Sequence, residues 1–147
     1  MKKSTLFLAA LLCMMMQTVS TFASDRLIPT EQLPAAAMAF IQENFPGEGV
    51  TFAKIDFDNG RKQYEVRLNN GTELEFDKKG NWDKVDCQFN AVPSHLVPTV
   101  IANYVNTTYP NTMVVKIDKE RYGFKIELSN DLELKFNKQG VLFDIDD

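Results

Sequence analysis

One block of this chain occurs twice, and the repetition limits what the chain can fold into. Residues 64–87, YEVRLNNGTELEFDKKGNWDKVDC, return sixty positions later as residues 124–147, FKIELSNDLELKFNKQGVLFDIDD. Tyr64 falls on Phe124, Val66 on Ile126, Leu68 on Leu128, Leu74 on Leu134, Phe76 on Phe136, Gly80 on Gly140 and Val85 on Ile145. Upstream, Leu33, Pro34, Ala37, Phe40, Ile41, Phe45 and Pro46 align with Val97, Pro98, Ile101, Tyr104, Val105, Tyr109 and Pro110 at an offset of 64. The offset falls to 62 at Lys54-Ile55-Asp56 against Lys116-Ile117-Asp118. Both drifts lie between periodic segments, where loops tolerate changes of length. The chain therefore reads as two repeats, about 33–87 and 97–147, with Asn90 to His95 as a connection too short for a free linker.

Each copy switches its hydrophobic period. Leu33, Ala37, Phe40, Ile41 and Phe45 fall on one face at helical spacing, with Pro34 in the first turn and Pro46-Gly47 as the stop. Period 2 follows. Ala53, Ile55 and Phe57 alternate with Lys54, Asp56 and Asp58; Tyr64, Val66 and Leu68 with Glu65, Arg67 and Asn69; Thr72, Leu74 and Phe76 with Glu73, Glu75 and Asp77. Asn59-Gly60, Asn70-Gly71 and Lys79-Gly80 supply residues that accept the positive φ of tight turns. Trp82 to Cys87 makes a fourth short strand. The expected class is α+β: a tandem repeat of a helix plus a four-stranded antiparallel meander, with the helices packed on one face of a curved sheet and a polar face left over. A copy of roughly 55 residues is marginal alone, so the two should share one core, with Phe45, Phe57, Phe76, Tyr109 and Phe136 among its large members.

The chain begins with Lys2 and Lys3, an apolar run from Leu6 to Met16, and Thr21-Phe22-Ala23 as a cleavage site, the pattern of a bacterial secretory signal over residues 1–23. The run is shorter than the ~20 residues a spanning helix needs. Leu12 before Cys13 is too large for a lipoprotein signal. Residues 24–147 then form a single domain, periodic in its repeats and periplasmic or secreted in its address, with Ser24 to Gln32 a polar entry segment poorly ordered at its start. Losing two lysines takes the net charge from −4 to −6, which argues against nucleic acid and anionic membrane surfaces. Cys87 is left as a lone thiol, read as a small buried residue ending a strand, with intermolecular pairing the alternative.

The segments KQYEVRLNNGTELEFDKKGNW (62–82) and YGFKIELSNDLELKFNKQG (122–140) resemble the PepSY-like proteins of beta-lactamase-inhibitor-like fold that Bacteroidota-type bacteria secrete. The resemblance spans nearly all of residues 24–147, in duplicate. It implies helices behind a curved sheet and, by analogy, a protein-binding or inhibitor-like role; it brings no catalytic residue. Asn130-Asp131 in place of Asn70-Gly71, and Asn137 in place of Asp77, depart from the first copy at the second hairpin.

Catalytic chemistry finds little support. His95 is the only histidine and lies in the inter-repeat connection, exposed or capping, without partners for a nucleophile or a metal. Asp56-Phe57-Asp58-Asn59-Gly60 faintly resembles a calcium loop, but Arg61 and Arg67 stand where that loop needs glycine and a bidentate glutamate. The acidic tail Asp144, Asp146 and Asp147 reads as strand alternation. Glu65, Glu73, Glu75 and Asp86 alternate regularly with apolar residues, as on a solvated sheet face. No catalytic residue, metal or cofactor is expected.

What remains is that face. Strand parity places on it Phe52, Lys54, Asp56, Glu65, Arg67, Glu73, Glu75, Trp82, Lys84 and Asp86, then Lys116, Asp118, Lys125, Glu127, Glu133, Lys135, Leu142, Asp144 and Asp146. It is either a self-neutralised polar surface or a docking surface. In the second reading Trp82 is the anchor, Phe52 and Leu142 add apolar contact, and Lys54, Arg67, Glu75 and Lys84 form the charged surround. The sequence thus predicts a non-catalytic binding module for an extracytoplasmic protein or peptide, with no membrane span after cleavage. A small-ligand or envelope-component sensor using the same face is the alternative.

Overall fold

The computed structural model describes residues 25–58 and 60–147, so the signal segment expected over residues 1–23 lies outside the described residues. Nine antiparallel strands form one sheet in which each strand pairs with the next in sequence. They are β1 (Arg26–Ile28), β2 (Val50–Asp58), β3 (Arg61–Leu68), β4 (Glu73–Asp77), β5 (Trp82–Asp86), β6 (Val114–Lys119), β7 (Gly123–Leu128), β8 (Glu133–Asn137) and β9 (Leu142–Asp146). Helix α1 (Ala35–Asn44) precedes β2 and α2 (Thr99–Thr108) precedes β6, each after a single 3-10 turn. Pro34 and Pro98 stand just before the first helical residues, where a missing N–H costs no hydrogen bond. No helix among the described residues is long and apolar enough to cross a membrane.

Register builds the core. Pairing runs without a break from Ile28 through Ala53, Val66, Leu74, Val85, Ile117, Ile126 and Leu134 to Ile145, one residue from each strand. Because side chains alternate across a strand, all nine point to the same side. The first eight are buried, and Ile145 at the edge is 46% exposed. Both helices cover this side. Phe40 of α1 stands edge-on to Phe76 at 5.6 Å, and Tyr104 of α2 meets Phe136 in the same way at 5.6 Å. The buried residues of both halves form one continuous cluster. Two of its three phenylalanines, Phe76 and Phe136, are wholly enclosed, and burial of such a side chain contributes about 1.5–3 kcal/mol. Phe57 departs from expectation. It lies at the turn end of β2, beyond the Arg26–Ile55 pairing where β1 stops, and is exposed.

Residues 26–28 also depart from expectation, since they form β1 rather than a loose lead-in. Three residues followed by Pro29 are too few for a periodic signal; the strand exists because the flank of β2 is open to pair with it. A polar bond joins the halves as well: His95 Nε2 lies 2.6 Å from Asn44 Oδ1. The Asn44 amide nitrogen already donates to Phe40 O, so its oxygen accepts from the histidine.

The turns read largely as expected. At the β4–β5 turn Gly80 has φ +88°, and a Cβ there would stand 2.8 Å from the Ala37 amide nitrogen, so α1 can approach only a glycine. At the β7–β8 hairpin Asp131 takes φ +66° in the place where the β3–β4 hairpin has Gly71 at +87°. The same pair of backbone bonds closes both, Gly71 N to Leu68 O and Asp131 N to Leu128 O at 3.0 Å. Acidic and amide side chains tolerate this conformation, which accounts for the substitution. Asp77 Oδ1 accepts from Lys79 N and Asn81 N, and Asp77 Oδ2 from Asn81 Nδ2. Asn137 Oδ1 accepts the equivalent amides of Gln139 and Val141. Burial raises the Asp77 carboxyl, yet these hydrogen bonds together hold it below the usual carboxylate range.

Two outcomes follow from this packing. Ile117→Ala, in the strand pair that joins the halves, should cost about 2–5 kcal/mol in urea unfolding; a loss below about 1 kcal/mol would show that this rung does not hold them together. A carboxyl held low in the fold stabilises it above the unfolded pKa and ceases to as pH falls through the folded one. Wild-type stability should therefore drop more between pH 5 and pH 3 than that of Asp77→Asn, which keeps the amide bonds as Asn137 does. Parallel pH profiles would remove the ionic role of Asp77.

Candidate functional site

The side of the sheet opposite the helices carries two long rows of charge. One runs from Leu27 through Lys54, Glu65, Glu75, Lys84, Asp118, Lys125 and Lys135 to Asp144. The other runs from Phe52 through Arg67, Glu73, Asp86, Lys116, Glu127 and Glu133 to Asp146. Opposite charges on neighbouring strands meet. Lys54 Nζ lies 2.8 Å from Asp25 and 2.9 Å from Glu65, and Lys84 lies 3.0 Å from Glu75. Lys116 pairs with Glu127, Lys125 with Asp118 and Glu133, and Lys135 with Glu133, Asp144 and Asp146. Arg67 pairs with Glu73 and stacks over the Phe52 ring, 5.8 Å from its centroid.

Every one of the six cations in these rows is therefore held by at least one acid. Hydrogen bonds to Asp25 and Glu65 push the Lys54 ammonium well above its ordinary range, and Asp144 and Asp146 do the same for Lys135. At Lys84 and Lys125 burial works the other way, but Glu75 in one case, Asp118 and Glu133 in the other, outweigh it. Lys135 in turn holds Asp144 below the usual carboxylate range. These acids serve as partners for the lysines of the face.

Of the residues expected on this face, Phe52, Lys54, Arg67, Glu75 and Lys84 lie on it. Trp82 and Leu142 do not. Phe76 pairs with Trp82 while Glu75 pairs with Lys84, so Asp83 is an extra residue in a β-bulge. Phe136 with Leu142 and Lys135 with Asp144 leave Phe143 as the extra residue at the matching place. Each bulge reverses parity, and both side chains turn back to pack against the core. The Trp82 ring lies 6.1 Å from Phe40. Lys119 Nζ sits 3.5 Å from the indole centroid and donates to Trp82 O at 3.0 Å, clasping β5 to β6. A cue was available in the sequence: a large apolar residue recurs at this position in both halves, as core positions do.

The bulge also brings forward a pair that parity missed. Phe143 is 54% exposed, and the ring of Tyr122 meets it edge-on at 5.2 Å. Burial raises the Tyr122 phenol, with Glu120 and Glu133 adding to the rise and Lys125 and Lys135 opposing it. Cys87 is buried, and burial pushes its thiol up to about 11 despite a hydrogen bond from Thr72. Among the described residues no three histidine, cysteine or acidic side chains are grouped as metal ligands. Two hollows lie beside the helices. One of about 230 Å³ is lined by Val97, Ala102, Val105 and Met113, and its counterpart of about 400 Å³ by Met38, Ile41 and Phe45.

A family model described as beta-lactamase-inhibitor-like, PepSY-like matches residues 21–74 and 62–144. Among solved structures, a Bacteroides vulgatus protein described as periplasmic and of the DUF2874 family is 42% identical, with TM-score 0.79, over 84% of this chain and 98% of its own. A Bacteroides thetaiotaomicron protein described as calcium-regulated and periplasmic is likewise 42% identical, with TM-score 0.79, over 84% of this chain and 97% of its own. A second Bacteroides vulgatus protein, described as periplasmic and of unknown function, is 34% identical, with TM-score 0.81, over 84% of this chain and 100% of its own. A comparison with curated proteins finds no match. Two helices on one side of an open antiparallel sheet, and these likenesses, make the chain a periplasmic or secreted member of the beta-lactamase-inhibitor-like, PepSY-like family.

Proposed function

We propose that this chain is a non-catalytic binding module, one domain of two helix-plus-four-strand repeats, whose open sheet face docks an extracytoplasmic protein or peptide in an inhibitor-like manner. The observation that carries the reading is the ion-pair lattice on that face. Cross-strand pairs fix the long lysine and arginine side chains before any partner arrives, so less side-chain freedom is lost on docking. Phe52 under Arg67 is the anchor best placed to replace Trp82, since aromatic and arginine side chains dominate interface energetics.

The alternative, a small-ligand or envelope-component sensor, uses the same sheet face, whereas the hollows beside α1 and α2 are lined by none of the residues in the charged rows. A broad surface suits a protein partner better than a small molecule. Calcium dependence, part of the description of the Bacteroides thetaiotaomicron relative, transfers poorly to this face, because its carboxylates already hold lysines.

The test compares capture from native periplasm by the mature chain, by a face variant (Phe52→Ala with Arg67→Glu), and by Val100→Lys, an exposed site on α2. Captured proteins are then titrated directly. Wild type and Val100→Lys should bind alike, and the face variant at least about tenfold more weakly with unchanged circular dichroism. Trp82→Ala should lower stability by about 2 kcal/mol and leave docking intact. Equal binding by the face variant would remove the proposal.

A further inference from the structure

The sheet has two edges, and they are not alike. β1 is three residues long and stops at Pro29, which lacks an N–H, so it offers little to a further strand. β9 has five residues, neither proline nor lysine among them, and among the described residues it pairs only with β8. Phe143 and Ile145 are 54% and 46% exposed along it, and Val141 just before it is 58% exposed. Asp144 and Asp146 lie between and beyond them, and Lys135 on β8 is the cation they share.

The molecule itself contains the filled version of this edge. β5 follows β4 through a bulge between Glu75 and Phe76, as β9 follows β8 through a bulge between Lys135 and Phe136. The outer flank of β5 is occupied: β6 pairs with it antiparallel, Asp86 with Lys116, Val85 with Ile117 and Lys84 with Asp118. Val85 corresponds to Ile145 by its pairing, since Leu74 and Leu134 are their partners on the preceding strands. Val85 is wholly buried, whereas Ile145 is not. The Ile145 amide also lacks a strand to bond. It donates to the Oδ1 of the neighbouring Asp144 at 3.1 Å, a local substitute for an incoming carbonyl, while Asp144 Oδ2 keeps Lys135 at 2.8 Å.

We infer that β9 is a docking edge that accepts, antiparallel, an extended segment of a partner protein carrying the alternation cation–apolar–cation. The register follows from β6. The residue opposite Asp146 should be cationic, as Lys116 is opposite Asp86. The residue opposite Ile145 should be apolar, as Ile117 is opposite Val85. Where β5 has Lys84 facing Asp118, β9 has Asp144, so the charge of the partner reverses and the third residue is again cationic. Backbone hydrogen bonds along the edge supply affinity, and alternate side chains supply selectivity. A second copy of this chain is a poor occupant. Antiparallel pairing of β9 with itself centred on Ile145 sets Asp144 against Asp146 twice, and like charges directly opposite destabilise a strand pair. This inference concerns the edge and stands apart from docking on the open face.

The test uses the mature chain and labelled peptides with Lys-Ile-Lys, Glu-Ile-Glu, or Lys-Ile-Lys with backbone N-methylation at the isoleucine, read by fluorescence anisotropy and residue-resolved amide exchange. Lys-Ile-Lys should bind saturably and slow exchange of the Ile145 amide. Glu-Ile-Glu should bind about tenfold more weakly or worse, and the N-methylated peptide should fail to protect Ile145. On the protein side, Asp144→Lys with Asp146→Lys should reverse the preference between the two charged peptides, and a thermal melt establishes that it folds. No saturable binding up to about millimolar peptide, equal binding of both charge patterns, or protection confined to β1 or to β3 and β4 would each overturn the inference. So would concentration-dependent protection of Ile145 without peptide, which would make a second copy the occupant.

Discussion

The pairing of Val85 with Ile117 is the contact on which the rest depends. β5 and β6 are the one pair of neighbouring strands, among the described residues, whose members come from different halves. Sliding it by one residue would turn every side chain of one half to the other face, setting lysines under the second helix and leucines in water. The register is held from both sides. Val85 and Ile117 lie in the continuous buried row beneath the helices, while Lys84 faces Asp118 and Asp86 faces Lys116 on the open side. Lys119 adds a third restraint by lying over the Trp82 ring and bonding its carbonyl.

The two faces of the sheet solve different problems with the same alternation. Under the helices, leucine, isoleucine and phenylalanine are removed from water, and among the described residues no buried side-chain nitrogen or oxygen is left without a partner. On the open side each cation has an acid on an adjacent strand, so the face needs no covering protein to be stable and remains available. That combination, a fixed surface that none of the described residues covers, distinguishes it from the helix side. The hollows beside the helices border the core and lack the charge order of the open rows.

Much of this was legible beforehand. Period 2 with glycine-bearing turns located eight of the strands, and proline before a 3.6-residue pattern located both helices. Asp131 replaced a turn glycine without altering the hairpin, because short acidic side chains accept the same backbone conformation. The failures share a cause. β1 was missed because three residues carry no period; it is a strand only where β2 offers an unpaired flank. Trp82 and Leu142 were set on the wrong face because a bulge inserts one residue into a pattern that is read by counting. Phe57 was assigned to the core on parity alone, yet parity says which way a side chain points and not whether anything covers it.

By itself the sequence determined the class of the fold, the alternation that separates a buried side from a charged one, and a periplasmic or secreted address. Those depend on local chemistry: apolar periodicity, turn residues and an N-terminal signal pattern. Tertiary structure alone decided which aromatic rings reach the surface, how the charges pair, and that one edge of the sheet is blunted while the other is open. These depend on which strands lie side by side and on single extra residues at two bulges, quantities that no count along the chain contains.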